Sequence, residues 1–408
     1  MFKNSPIKFI FITMFLDVLG IGVIIPILPQ LIRHFMVDPL QASQYFGYFI
    51  SVYSLIQFFA SPILGALSDR FGRRPILLIS LLGACIDYVI MAFAPNLTIL
   101  FLGRIVSGLT GASMTVASAY IADVSDEKNR SANFGMIGAA FGLGFIIGPA
   151  IGGLVGTYGW NYPFLAAAAL NFCNFLFGLF ILPESLPAAQ RRKIDFKKLN
   201  PLRSSTRIFQ LKSLVPLFMI YFLIYFAGQV HPSNWTLYTQ LKFGWTARDV
   251  GLSLAVVGLS VAIAQGGLTR IIIPKLGEWR SLLLGAFVNG LGYLGFAFAS
   301  RSWMMFAVLV PSSLSSVANP ALQSLISKNV PGNEQGELQG TLMSLASLTS
   351  ILGPIAYTSL FAHFTETAGA YFPGAAYLLA AMVSFAAASL VFRLYLKDAK
   401  LQSLQAET

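Results

Sequence analysis

Charge is absent from this chain in long stretches that recur along its whole length, and that pattern limits the fold more than any motif. A helix needs about 20 mostly apolar residues to cross the hydrocarbon of a bilayer. Residues 9–32 carry one charge, Asp17; 39–68 carry none; 75–103 carry one, Asp87. Arg104 follows, then 105–122 is uncharged, as are 131–183, 213–241, 250–269, 281–300, 302–327, 338–365 and 367–392. The run 131–183 is too long for one helix, and Gly156-Thr-Tyr-Gly-Trp-Asn-Tyr-Pro163 is a turn signal that divides it. The count is twelve membrane helices. Barrel strands would alternate apolar and polar residues over about 10 positions; these runs are continuous. The first is no cleaved signal peptide, since it is long, holds Asp17 and has Pro26 and Pro29 where small residues should stand.

Only 11% of the residues are charged and 56% are hydrophobic, against about 25% charged in soluble domains. This excludes a water-soluble globule and a disordered chain. Cys85 and Cys173 sit in separate apolar runs and read as packing residues, so neither a disulfide scaffold nor a metal site is expected. The net charge of +11 is explained by topology. With the N-terminus in the cytoplasm, cytoplasmic segments hold 22 of the 27 Lys and Arg, external loops hold four (Arg33, Lys242, Arg248, Arg301), and Arg104 lies inside a span. This is the positive-inside pattern, with both termini cytoplasmic, and it makes nucleic acid an unneeded partner.

The longest polar segment, 184–212, follows the sixth span and reads as a solvated cytoplasmic linker between bundles 1–183 and 213–408, able to lie on anionic lipid. An internal repeat supports two pseudo-symmetric six-helix bundles. Gly148-Pro149 recurs as Gly353-Pro354 and Gly72 as Gly277, both 205 residues on; Gly22 and Pro26 recur as Gly228 and Pro232 at an offset of 206. Duplicated halves are a mark of transporters.

Between spans 2 and 3 lies Gly65-Ala-Leu-Ser-Asp69-Arg70-Phe-Gly72-Arg73-Arg74. Gly72 permits a turn with positive φ, Pro75 suits a first helical turn, Gly65 allows close helix approach, and Asp69 and Arg73 can form charge-assisted bonds. Anchoring of a basic loop explains the arginines but not the glycines or the acid. The stretch resembles the signature loop of the major facilitator superfamily. Leu102-Gly-Arg104-Ile-Val-Ser-Gly108-Leu-Thr-Gly111-Ala112 is similar to that family's helix-4 motif. Gly144-Phe-Ile-Ile-Gly148-Pro149-Ala-Ile-Gly152-Gly153 resembles the helix-5 motif of its drug:proton antiporters, although glycines spaced by four are also common packing devices. Leu16-Asp17-Val-Leu-Gly-Ile-Gly-Val-Ile-Ile-Pro26, Asp87-Tyr88, Gly228-Gln229, Phe243-Gly-Trp245 and Asn319-Pro-Ala-Leu-Gln323 read like the bacterial tetracycline/proton antiporters. The resemblance implies an all-α integral membrane fold of twelve helices, a monomer in a bacterial inner membrane, and protons as the coupling ion with no cofactor.

Asp17, Asp87 and Arg104 are the charges well inside spans. Insertion of such a charge costs about 2.5–3.5 kcal/mol, so function is the default reading. An Asp17 carboxylate that meets Arg104 in one state and loses it in another would be a proton switch, since an adjacent guanidinium favours the ionised acid and burial alone favours the neutral one; a static ion pair is the bland alternative. Asp87 is carried over from the resemblance. So is a cytoplasmic gate in which Asp123 joins Gly65, Asp69, Arg70, Gly72, Arg73 and Arg74.

The second half departs from the antiporter pattern. Where those exporters often carry an aspartate in helix 9, this chain has Asn289, and helix 8 (Leu259-Ser-Val-Ala-Ile-Ala-Gln265) has no histidine. An amide does not titrate, so a step is missing or has moved to Asp17, Asp87 or His231; His231 alone reads more readily as a bonded polar residue near the outer mouth. Substrate-cavity candidates are Gln57, Gln229, Asn234, Trp235, Gln265, Asn289, Asn319 and Gln323, each of which could instead be interhelical glue. Scattered amides in apolar walls suit an amphiphilic organic molecule. The expected function is proton-coupled export of a small drug- or tetracycline-like compound, driven by about 2.3 kcal/mol per charge per 100 mV and roughly 1.4 per pH unit. The alternatives are export of an endogenous metabolite such as a siderophore, or proton-coupled import. No nucleotide-binding loop is present, and three scattered histidines with two lone cysteines supply no enzyme's nucleophile–base set or metal cluster. A channel would conduct without proton coupling.

Overall fold

The computed structural model describes residues 6–36, 39–125, 130–191, 214–330, 335–366 and 371–406. Among the described residues there is no strand. In lipid every backbone N–H and C=O must be satisfied within the segment, and continuous apolar runs meet that demand as helices. There are twelve. They are α1 (Pro6–Ile24, continued after a turn by a short helix Leu28–Phe35), α2 (Pro39–Phe71), α3 (Arg73–Phe93), α4 (Leu97–Thr110 and Ser113–Asp123), α5 (Arg130–Val155) and α6 (Tyr162–Phe180). Then come α7 (Val215–Gly228 and Val230–Phe243), α8 (Ala247–Ile263, a wide turn Ala264–Leu268, and Thr269–Leu276), α9 (Glu278–Phe298), α10 (Ser302–Ser312, a tight turn Ser313–Val317, and Ala318–Lys328), α11 (Gln335–Glu366) and α12 (Ala375–Ala406). Large apolar side chains such as Phe59, Phe93, Phe180 and Trp303 are exposed, as a lipid-facing surface requires.

The chain divides by internal packing into two units, 1–201 with 244–258, and 202–243 with 259–408. In the first, α1 packs along α5 and α6, α3 along α6 and α4, and α2 along α4. Its core joins Ile10 and Met14 of α1 to Ile76 and Leu77 of α3 and to Val116, Ala117 and Tyr120 of α4. In the second, α9 and α7 pack on α12, with α10 on α9 and α11 on α7. Its core joins Leu217, Phe218 and Tyr221 of α7 to Leu282 of α9, Leu322 and Leu325 of α10, and Val391 of α12.

Small residues let membrane helices approach closely, because lipid supplies no hydrophobic drive between them. Gly148 of the helix-5 motif lies so near Gly22 that a Cβ on Gly148 would sit 2.8 Å from the Gly22 Cα and 2.9 Å from the Leu19 carbonyl oxygen. Gly144 lies on Val18, and Gly152 on the Val23 backbone. On the opposite side of α5, Gly153 meets the Ala247 backbone, and Pro149 meets Gly251. Gly65, expected to permit a similar approach, is not closely packed: a Cβ there would find Thr115 at an ordinary 3.8 Å.

The segment 184–212 begins differently from the solvated linker expected. Its described residues 184–191 return to the first unit, with Leu186 buried; positions 192–212 lie outside the described residues.

Candidate functional site

The first unit's membrane-depth site begins with a break in α4. The helix stops at Thr110 and restarts at Ser113. The groups freed at the break are taken up by neighbours: the Gln57 amide of α2 donates to the Gly111 carbonyl (2.8 Å) and the Ala112 N–H reaches the Ser80 hydroxyl of α3 (3.4 Å). Such repair is the condition for broken backbone inside a membrane. The break presents Ser113, whose hydroxyl donates to Asp17 Oδ2 of α1 at 2.5 Å. Asp17 is buried, and no cation is paired with it among the described residues.

Arg104, on the other part of α4, pairs with Asp87 of α3 and lies 3.5 Å from the Met91 sulfur. Its guanidinium carbon stands over the rings of Phe49 and Tyr53 of α2, 5.1 and 5.6 Å from their centroids, a cation–π clamp that offsets part of the cost of burial. Asp87 is fully buried; its Oδ1 and the Arg104 Nε have no hydrogen-bond partner. In this conformation Arg104 is paired with Asp87 and not with Asp17, so a static Asp17–Arg104 pair is not what the structure holds. The physical reason is placement: Gly103, beside Arg104, lets α4 lie against the Asp87 carboxylate itself, while the α4 break hands Asp17 a hydroxyl. The two centres are joined by Tyr53, which sequence reasoning missed because a tyrosine in an apolar run has no motif. Gln57 donates to its hydroxyl at 2.9 Å and to the Gly111 carbonyl at the α4 break.

At the loop between α2 and α3, Gly72 has φ of 107°, a conformation open to glycine. Arg73 Nη1 donates to Asp69 Oδ1 (2.5 Å) and Ser68 Oγ (2.7 Å), and its Nε to Asp123 Oδ2 (3.0 Å). The sequence-derived gate residues Asp69, Arg73 and Asp123 thus meet. Arg74 donates instead to the Gly178 and Leu179 carbonyls of α6, and Arg70 is exposed over the Phe71 ring. The residue that completes this cluster was not foreseen. Glu184 accepts from the Arg73 N–H (2.8 Å) and the Arg74 N–H (3.3 Å), capping the start of α3 from 111 residues away. The Ser185 hydroxyl donates to the same Asp123 oxygen at 3.0 Å. A carboxylate at a helix N-terminus meets unpaired N–H groups and the positive end of the dipole; its one sequence signal was an acid between Pro183 and Ser185.

In the second unit the amides are mostly engaged locally. Gln229 donates to Ser350 (3.0 Å), Asn234 to the Tyr357 carbonyl (3.0 Å) and Asn289 to Ser384 (3.4 Å). Trp235 is buried edge-on to Phe296. Gln265 lies in the wide turn of α8 and Gln323 on α10, both exposed. Asn319 Oδ1 is buried without a partner. Among the described residues no group of His, Cys, Asp and Glu could hold a metal ion.

Comparison with known proteins places these arrangements. The model of the Major Facilitator Superfamily matches residues 10–354 and 280–408. The chain is 42% identical over 365 residues to the class C tetracycline resistance protein of Escherichia coli, covering 90% of this chain and 92% of that one. It is 43% identical over 358 residues to the class G tetracycline resistance protein of Vibrio anguillarum, covering 87% and 89%. Among solved structures it is similar in fold to the nucleoside transporter NupG, with a TM-score of 0.76, 14% identity, and coverage of 96% of this chain and 99% of that chain.

Proposed function

The chain belongs to the major facilitator superfamily, and from that premise we propose that it exports a small amphiphilic organic compound, tetracycline-like, in exchange for protons. That it is a multi-pass membrane transporter and not an enzyme follows from the family. Proton coupling, the direction of transport and the substrate are our reading.

One observation carries the proton part. Asp17 is a buried carboxyl in the middle of α1 held by a neutral hydroxyl, while the cation nearby is already engaged by Asp87. A carboxyl without a cation can take and release a proton as its surroundings change. The Asp87–Arg104 pair sets the local field, and Tyr53 and Gln57 link the two. Each inward proton supplies about 2.3 kcal/mol per 100 mV for outward movement of the compound, and the cycle needs no cofactor. The relatives of class C and class G support a tetracycline-like substrate. We place the protein as a monomer in a bacterial inner membrane with both termini cytoplasmic.

Asn289 favours a second reading of the substrate. It is an amide bonded to Ser384 and cannot titrate, so an endogenous metabolite of similar amphiphilic character is the alternative cargo. A susceptibility panel run beside metabolite profiling of a deletion strain separates the two: drug sensitivity supports the first, and metabolite retention without drug sensitivity the second.

A further inference from the structure

Two asparagines of α6, Asn171 and Asn174, are fully buried against α1, each 0% exposed. Asn174 Nδ2 donates to the Thr13 carbonyl oxygen at 2.8 Å, one turn before Asp17. Asn171 lies against Gly20, one turn after Asp17, so closely that a Cβ on the glycine would not fit, and the Tyr88 ring of α3 stands beside the same glycine. Asn171 Nδ2 donates to the Ala167 carbonyl of its own helix at 3.1 Å. The two amides therefore bracket the Asp17 level of α1 from the α6 side, while Ser113 holds the carboxylate from α4.

Bonding to backbone carbonyls accounts for the N–H side of both amides, the usual use of asparagine between membrane helices. It does not account for the oxygen side. Asn171 Oδ1, Asn174 Oδ1 and the hydroxyl of Thr13, itself 1% exposed, have no hydrogen-bond partner among the described residues. Buried polar atoms are nearly always bonded, to protein or to ordered water, and hydrocarbon makes an unmet one costly. Here three of them, from two packed helices, flank one acid. They comprise two carbonyl-type acceptors and one hydroxyl that donates or accepts. A water molecule matches that set: it donates to the two amide oxygens and accepts from the hydroxyl, and about three bonds are usual for a buried water.

The second unit supplies a contrast. The offset of 206 that relates Gly22 to Gly228 carries Thr13 and Asp17 of α1 onto Met219 and Leu223 of α7, and α12 has no amide between Ala375 and Asp398. Where the acid is missing, its polar flank is missing too.

We propose that Thr13, Asn171 and Asn174 hold a buried water beside Asp17, and that this water is the immediate partner of Asp17 in proton exchange. An excess proton arriving on the water passes to a carboxylate oxygen: one O–H bond breaks on the hydronium, one forms on Asp17, and a neutral water remains. Release is the reverse. Amide and hydroxyl side chains do not titrate in this range, so the three are positioning residues and change no bond of their own. This rests on the proton-coupled reading above and adds the group through which Asp17 is reached.

Infrared difference spectroscopy of the full-length protein in lipid tests it. The band of the protonated Asp17 carboxyl is identified at acid pH by its loss in Asp17→Asn, and it shifts as O–H becomes O–D after transfer to D2O. Thr13→Val, which keeps the side-chain outline, and Asn171→Leu should each slow that exchange several-fold. Thr13→Ser, which restores the hydroxyl, should exchange near the wild-type rate. A packing role alone would move the thermal midpoint and leave the exchange unchanged. In 18O-labelled water the wild-type difference spectrum should contain a shifted water band that Asn171→Leu lacks. Exchange at the wild-type rate in the folded variants, or no 18O-sensitive band, overturns the proposal. If Asn171→Leu fails to fold, Thr13→Val decides it. Absence of a protonated Asp17 band at any pH overturns the proton-coupled reading and this proposal together, whereas a band whose exchange ignores Thr13 and Asn171 overturns the water alone.

Discussion

Arg104 of α4 is ion-paired with Asp87 of α3, while Asp17, the other acid at membrane depth, holds the hydroxyl of Ser113. Two acids that look alike in the sequence are thereby separated into one paired with a cation and one held by a neutral hydroxyl. The pair is buried, and removing one partner of a buried pair leaves an uncompensated charge at a cost of about 3–5 kcal/mol. Asp87→Asn should therefore lower the thermal midpoint of the detergent-solubilised protein clearly. The double variant Asp87→Asn with Arg104→Gln should recover much of the loss. A single variant as stable as wild type would show that Arg104 finds its support elsewhere.

Tyr53 bridges the two centres, with its ring under Arg104 and its hydroxyl bonded to Gln57. Tyr53→Phe keeps the ring and removes the link. Stability should change little, because the lost neutral hydrogen bond is worth about 0.5–1.5 kcal/mol. Drug-evoked proton flux should fall several-fold. Unchanged flux would confine Tyr53 to holding the guanidinium.

Glu184 caps α3 through two N–H groups beside the Arg73 cluster. Glu184→Ala should cost about 1–3 kcal/mol through buried donors left unmade. It should also raise labelling of single cysteines placed near Arg73. Labelling equal to the parent protein would reduce Glu184 to a local cap with no part in closing that side. Gly72→Ala should reproduce the defect, since the position has φ of 107° and lies against the Glu184 carboxylate.

The glycines of α5 give an internal contrast. Gly148→Val must intrude on Gly22 and the Leu19 carbonyl, and overpacking of this kind costs roughly 1–3 kcal/mol. Gly65→Ala meets Thr115 at van der Waals distance and should be close to silent. Thermal unfolding and expression of the two variants measure the difference. Equal behaviour would mean that α1 and α5 can part without penalty.

How much of this was legible in the sequence depends on which physics wrote it. The twelve spans were, because lipid rejects charge and leaves apolar runs of fixed minimum length. Gly72, Asp69 and Arg73 were, because a positive-φ turn and a charge-assisted pair require particular residue types, while Asp123 entered through the family resemblance. The choice of Asp87 over Asp17 as partner of Arg104 was not: it depends on how near α4 approaches α3, a distance no residue type declares. Nor were the break at Gly111, whose cost is met by Gln57 and Ser80 on other helices, and the reach of Glu184 back to α3. His231 was visible as an intramembrane imidazole, but the rings around it, Trp235, Tyr293, Phe296 and Tyr377, come from three helices and only the fold collects them.

The central claim is that Asp17 carries the proton that drives export. The direct measurement is tetracycline-evoked proton flux into proteoliposomes, wild type against Asp17→Asn, with folding of both checked by circular dichroism and thermal unfolding. Wild type should couple, and the folded Asp17→Asn protein should bind the compound yet show no proton flux. Full coupling in Asp17→Asn would contradict the account.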